Sequence, residues 1–413
     1  MPNDLPKIPG PSRAVYSASG RRRRLFKSRR HLPSFGSETA SRRLRSGRRR
    51  WAKRLLVALL VLIVVLVAAG AGAYAYTGNK LGNIPRVSVP ALTPQKPGQP
   101  MDVLLAGSDS RKCITTAAGV KAYGSATTTS GQRSDVIIVA RFTAGDQVQL
   151  LSIPRDSWVP IAGTGASNKI NAAFNSGPNQ LVATIQDDFH IPINHVIWTT
   201  FCGFQGMVDA LGGIYLDFKY PVYDTHSGLH VTTTGCQLVD GTEALALVRS
   251  RYLYWYDGTT KQWVPDQSSD WSRIQRQQAF FHALLDRVHS SLPDLFKINS
   301  FLDAAASGLT VDSGFTSGDM MSLGLHYHSL SASDLTTKVI PTIPEVIDGQ
   351  DALAVAQPYS SQLVASFLAA GTAPSNSGKA SGTTSPKPTT PPPANVVTDT
   401  PQDLPEPWNP TPC

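Results

Sequence analysis

Residues 55–76, LLVALLVLIVVLVAAGAGAYAY, form a run of 22 residues without a charge, which divides the chain into parts that cannot share one aqueous core. At a helical rise of about 1.5 Å per residue, such a run is long enough to cross the hydrocarbon layer of a bilayer. A cleaved leader would have a shorter apolar region with a small-residue cleavage site close behind it. AGAYAY resembles such a site only weakly, so the expectation is an uncleaved transmembrane helix. Residues 1–54 hold 17 Lys and Arg, among them Arg21 to Arg24 and Arg48 to Arg50, against Asp4 and Glu38, a local balance of +15. The whole chain carries +9, so the remainder carries −6. Positive charge packed just before a span keeps that side cytoplasmic and exports everything after Tyr76 to the outside of the cell membrane. The basic clusters would also suit nucleic acid, but topology and lipid headgroups account for them, and the segment shows no helix-turn-helix pattern.

Beyond the span, residues 77–100 contain Pro85, Pro90, Pro94, Pro97 and Pro100 and are expected to form a stalk. Residues 101–107, 135–141 and 148–153 are short apolar, β-branched runs bounded by Gly, Asp or Pro, which predicts buried strands. Helical periodicity appears at 178–190, 203–211, 240–249 and most clearly at 271–289, where Ile274, Phe281, Leu284, Leu285 and Val288 make an apolar stripe. Strands alternating with helices predict an α/β domain over 101–291, with a central sheet covered on both faces. Residues 292–370 continue the pattern as an extension, with helices near 296–306 and 317–325 and a strand at 336–342. From 371 to 413 the chain is Pro, Ser, Thr and Gly with few large apolar side chains, and a disordered tail is expected. Cys113, Cys202, Cys236 and Cys413 lack the CxxC spacing of a zinc site. In an oxidising exterior a Cys202–Cys236 disulfide is the first expectation and Cys113–Cys236 the second, because Cys413 ends the tail.

The common catalytic signatures are absent: no nucleophile elbow, no P-loop, no GxGxxG and no HExxH. What remains is Arg beside Asp in five phrases at the ends of apolar runs. These are GSDSR from Gly107, RSD from Arg133, PRD from Pro154, VRSR from Val248 and DWSRIQRQQ from Asp270. Arg249 and Arg251, two apart, point to one side in an extended segment, while Arg273 and Arg276, three apart, share a helical face. Guanidinium groups so arranged fork onto phosphate oxygens. Asp109 and Asp135, each at a strand end, suit Mg²⁺ or Mn²⁺ bridging to the same phosphates. Structural ion pairing is the competing reading of each phrase. KINAAFN from Lys169 and VDALGG from Val208 read as packing and capping. Ile137, Leu151, Phe201 and Leu247 are either core or the wall of an apolar groove.

The order GSDSR, RSD, LLSIPRD, KINAAF, GFxxxVDALGG, VDGTEALALVRSR and RIQRQQ closely resembles the LytR-CpsA-Psr family of bacterial envelope proteins, over residues 101 to about 290 with an extension to about 345. The resemblance implies an α/β/α sandwich around a mixed sheet, held outside the cell by one N-terminal span. It further implies a phosphotransferase that moves a glycopolymer from a polyprenyl-pyrophosphate carrier to peptidoglycan, with a divalent metal on the pyrophosphate. The metal acids fall on Asp109 and Asp135. The pyrophosphate-binding or catalytic arginines fall on Arg133, Arg155, Arg249, Arg251 and either Arg273 or Arg276. Asp156 follows Arg155 and is placed to orient it, and Asp135 or Asp156 is the available acceptor for a hydroxyl proton. Two stretches depart from the shortest family members: residues 112–130, and 252–269 with Trp255, Tyr256 and Trp263, a candidate substrate-facing loop. The alternatives are a pyrophosphatase or lipid-binding protein without transfer, and a transcriptional regulator.

Overall fold

Side chains that alternate in burial along strands and recur every three to four residues along helices assemble around a mixed seven-stranded sheet. Its strands run in the order Arg86–Val87, Leu309–Asp312, His195–Thr199, Met101–Ser108, Ser134–Phe142, Val148–Ser152, Leu335–Val339. The computed structural model describes residue 72 and residues 75–110, 113–114, 133–143, 145, 147–371 and 406–413. Residues 1–54 and all of the expected span except Gly72, Ala75 and Tyr76 lie outside the described residues. Among the described residues no helix is long and apolar enough to cross a membrane.

The Met101–Ser108 strand pairs antiparallel with Ser134–Phe142 and parallel with His195–Thr199. Leu104, Ile137 and Val139 face one side, where the Pro178–Phe189 helix and the 3-10 turn Ile170–Ser176 cover them with Leu181, Ile185 and Phe174. Leu105, Val136 and Ile138 face the other, towards Phe281 and the helix Ser269–Ser291. Helices on both faces make the α/β/α sandwich that the sequence pattern and the resemblance implied. A second apolar cluster lies among the helices Phe201–Ala210, Gly241–Arg249 and Ser269–Ser291 and the strand Ile214–Phe218. Residues 292–370 are part of the main sheet, since Leu309–Asp312 and Leu335–Val339 are two of its strands.

The structure corrects three expectations. The proline-rich stretch 77–100 is no free stalk: Ile84 and Val89 are buried, Arg86–Val87 pairs with Val311 and Asp312, and the Thr93 N–H donates to the Ile193 carbonyl at 2.8 Å. Proline removes backbone donors, but it does not stop the apolar residues between from docking.

Nor is the end of the tail disordered. Trp408 stacks on Trp255 at 5.2 Å, Asn409 is buried, and Thr411–Pro412 pairs with Leu216 and Asp217. The disulfides are Cys113–Cys202 and Cys236–Cys413, so neither expected pairing forms. Parallel pairing brings the ends of Met101–Ser108 and His195–Thr199 to one edge, from which Cys113 and Cys202 each follow closely. Cys236 and the docked tail flank the same strand, Ile214–Phe218. Because the second bond spans 177 positions, replacing Cys413 with Ser should cost about 2–4 kcal/mol, seen as a fall in melting temperature of roughly 5 °C or more. Calorimetry under non-reducing conditions checks it.

Candidate functional site

The charged phrases meet where the strands end. Gly107 pairs with Val136 and Ser108 with Ser134, leaving Asp135 as the extra residue of a β-bulge, a device that re-aims a side chain. Its carboxylate pairs with the Arg155 guanidinium. At the same edge the Asp109 N–H donates to the Arg133 carbonyl at 3.0 Å, and the Arg133 N–H donates to the Asp109 carboxylate at 2.8 Å. Arg155 follows Pro154, and its carbonyl accepts from the Asn171 N–H at 3.1 Å, which ties the PRD phrase to the turn after Lys169.

Asp156 is the hub. Arg155 Nε and Lys169 Nζ each lie 3.5 Å from its carboxylate and Arg251 Nη2 lies 3.6 Å away. Arg251 Nε is also 3.3 Å from Asp270, which pairs with Arg273 at 2.9 Å. Burial would raise the Asp156 carboxyl, but Arg155, Lys169, Arg251 and Arg273 outweigh it and hold it below the ordinary carboxylate value. Burial likewise opposes charge on Arg155, yet Asp135, Asp156 and Asp270 hold it above its usual value. Arg273 is pushed down to about 10, chiefly by burial, and stays charged at neutral pH. Its Nε is buried without a hydrogen-bond acceptor, as are the Nε atoms of Arg155 and Arg276. Four cations, Arg155, Lys169, Arg251 and Arg273, thus surround three carboxylates, Asp135, Asp156 and Asp270.

Arg251 is aimed by its turn. The helix Gly241–Arg249 starts at Asp240, whose side chain accepts from the Glu243 N–H at 2.8 Å, and it ends where Ser250 becomes extended. Buried Asp224 then accepts from Ser250 Oγ at 2.7 Å and from the N–H groups of Arg251 and Tyr252 at 3.0 Å each. Arg249 sits over the Phe201 ring at 4.5 Å, and Arg133 is exposed at the head of its strand. Of the two arginines left open by their spacing, Arg276 is fully buried and donates to Asp266, Asn409 and the Ser250 carbonyl, while Arg273 pairs with Asp270 of the charged cluster. The stretch 252–269 forms the hairpin Tyr254–Asp257 and Gln262–Pro265, with Trp255 and Trp263 packed on Tyr220 and Tyr223.

An apolar cavity of about 170 Å³ is lined by Leu105, Val136, Phe204, Phe280, Phe281 and Phe301 among others. Val136 and Val248 line it, and their chain neighbours are Asp135 and Arg249. Gly203 and Gly308 let two helices close one wall, since a Cβ on Gly203 would fall 2.3 Å from the Gly308 carbonyl oxygen. Ile137, Leu151, Phe201 and Leu247 are buried core beside this space and do not line it, Ile137 and Leu151 because they point to the opposite face of the sheet. Among the described residues no group of three or more His, Cys, Asp or Glu could hold a metal. Asp109 and Asp135 stand at the same edge of the sheet, two carboxylates of the chemical kind that Mg²⁺ or Mn²⁺ takes together with phosphate and water.

Three residues of the site escaped the sequence reading. Asp270 was legible as an i,i+3 partner of Arg273. Lys169 was hidden in KINAAFN, whose Ile170, Ala173 and Phe174 are indeed core. Nothing in the sequence pointed to Asp224.

The model of the LytR_cpsA_psr family matches residues 70–366. The chain is 33% identical over 214 residues to the probable cell wall biosynthesis protein LcpB of Corynebacterium glutamicum, covering 51% of this chain and 48% of that protein. It is 32% identical over 201 residues to the polyisoprenyl-teichoic acid–peptidoglycan teichoic acid transferase TagV of Bacillus subtilis, covering 46% and 48%. The chain therefore spans about half the length of these curated relatives. Among solved structures, a LytR-Csp2A-Psr enzyme from Actinomyces oris superposes with a TM-score of 0.56 at 24% identity, over 69% of this chain and 95% of that one. This last likeness establishes the fold.

Proposed function

Because the chain belongs to the LytR_cpsA_psr family, we propose that it is a transferase, anchored by residues 55–76 outside the cell membrane, that moves a glycopolymer from a polyprenyl-pyrophosphate carrier to peptidoglycan. One observation carries this reading: the domain holds both a guanidinium cluster around Asp135 and Asp156 and an apolar cavity whose lining residues Val136 and Val248 are the chain neighbours of Asp135 and Arg249, which suits a ligand with a doubly phosphorylated head and a hydrocarbon tail. The names of TagV and LcpB place two relatives in cell wall assembly, which supports the reaction class.

In this reading Arg155, Arg251 and Arg273 bind the pyrophosphate, with Arg133 and Arg249 at the rim. A hydroxyl of peptidoglycan attacks the phosphorus next to the glycopolymer, the bond to the bridging oxygen breaks, and the hydroxyl proton passes to the departing polyprenyl phosphate, a stronger base than Asp156. The arginines neutralise the charge that grows on the departing polyprenyl phosphate. Mg²⁺ or Mn²⁺ held by Asp109 and Asp135 would supply further neutralising charge. Asp156, kept ionised by the cations around it, is a weak base, so its contribution is to hold Arg155 and Arg251 in place.

The test is a transfer assay on the full chain with a lipid-pyrophosphate-linked oligosaccharide, run with and without peptidoglycan. Transfer gives a phosphodiester-linked product that depends on the acceptor. Acceptor-independent release of polyprenyl phosphate alone would instead mark a hydrolase. Filling the cavity with Leu105→Trp should lower kcat/KM at least about tenfold for a long-chain donor and leave a short-chain donor nearly unaffected, since only the tail contact is lost.

A further inference from the structure

The helix Leu295–Gly308 runs beside the helix 75–82 that follows the apolar run. Tyr76 Oη donates to Asn299 Oδ1 at 2.7 Å, and Lys80 pairs with Asp303. Both members of the second pair lie four positions beyond the first, so the two helices run parallel and in step. Going back along one chain from Tyr76 leads into residues 55–75. Going back along the other from Asn299 leads, within about 6 Å, to Phe296 and Leu295.

Those two side chains are the most exposed large hydrophobics among the described residues, at 87% for Phe296 and 78% for Leu295, with Leu292 at 40% beside them. The tip is ordered, because the Asp294 carboxylate accepts from the N–H groups of Phe296 at 3.1 Å and Lys297 at 3.2 Å. Adjacent apolar side chains held out in this way, with a lysine next to them, have the composition of a membrane-interface contact. We propose that Leu292, Leu295 and Phe296 form a wedge that enters the outer surface of the same bilayer that anchors the chain.

The inference rests on the anchored-transferase reading and adds a loading route to it. Phe301, five residues after Phe296, lines the apolar cavity together with Leu309 at the end of the same helix. A wedge seated among lipid headgroups therefore brings the cavity wall to the surface from which an isoprenoid carrier must be drawn. The lysine at 297 suits anionic headgroups, and a second copy of the chain would gain nothing from that charge.

The test uses the full chain in nanodiscs of phosphatidylcholine and phosphatidylglycerol. All four cysteines are paired, so Phe296→Cys introduces one thiol for a spin label, with Val346→Cys, at a 67% exposed position, as the control. The expected result is severalfold greater relaxation by oxygen relative to a water-soluble nickel chelate at 296 than at 346. Equal ratios at the two sites in a chain that still co-floats with lipid overturn the wedge. So does protection from both reagents, which would mark a protein partner. Failure to co-float overturns the anchored reading and the wedge with it. As a second arm, Leu295→Gln with Phe296→Gln should slow turnover of a bilayer-embedded donor about tenfold and leave a detergent-dispersed donor unchanged. Equal loss with both donors would also sink the proposal.

Discussion

Replacing Arg155 with alanine is expected to lower kcat/KM for glycopolymer transfer by about a thousandfold while the protein stays folded. Arg155 touches both Asp135 and Asp156, and among the described residues it makes the one ion pair within 4 Å to the bulged carboxylate at Asp135. Its loss removes a preorganised charge from the phosphate position and frees Asp135 to repel the substrate. Asp156 keeps Lys169 and Arg251, so the scaffold around the hub survives. Arg155→Lys should recover only part of the loss, because an ammonium keeps the charge but cannot fork between two carboxylates and a phosphate. Arg251→Ala should cost less, about a hundredfold, since its side chain is 34% exposed and water screens it. Steady-state kinetics with a lipid-pyrophosphate donor, alongside circular dichroism, checks all three. Full activity in Arg155→Ala would remove the guanidinium cluster from the mechanism.

The elements with long, regular apolar spacing were the legible ones. The three first strands and the helix with Ile274, Phe281 and Leu284 on one stripe appear within a few residues of where periodicity put them. The strand His195–Thr199 and the short hairpins after Ile214 were not foreseen, because runs of three to five residues give period two little room to show. In the site, the arginine phrases were legible as chemistry but not as geometry. That Asp135 leaves the ladder depends on a one-residue register shift that no local residue type announces. The cysteine pairing failed for a related reason. It turned on the tail returning to the Ile214–Phe218 strand, a contact between segments almost 200 positions apart.

Replacing Arg276 with methionine is expected to destabilise the fold by about 3–5 kcal/mol, the largest stability effect of any single change considered. The spacing of Arg273 and Arg276 left open which of them serves the site, since residues three apart share a helical face. Neighbours separate them. Arg273 meets Asp270 at the edge of the phosphate cluster, whereas Arg276 is enclosed by Asp266 at 3.1 Å, Ser272 at 2.9 Å, Asn409 at 2.6 Å and the Ser250 carbonyl at 2.8 Å. Asn409 belongs to the returning tail, so the C-terminus supplies one side of the enclosure. Methionine would leave the Asp266 carboxylate buried without its cation, which is the source of the cost. A second change, Asp266→Leu, should recover a large part of it, because a fully apolar replacement removes the stranded charge. Urea unfolding of the single and double variants measures both terms. Transfer by the folded fraction should fall modestly, because the Ser250 carbonyl that Arg276 holds lies between Arg249 and Arg251 and loosens with it. If Arg276→Met instead abolished transfer at unchanged stability, Arg276 would be the phosphate ligand and the roles of the two arginines would have to be exchanged.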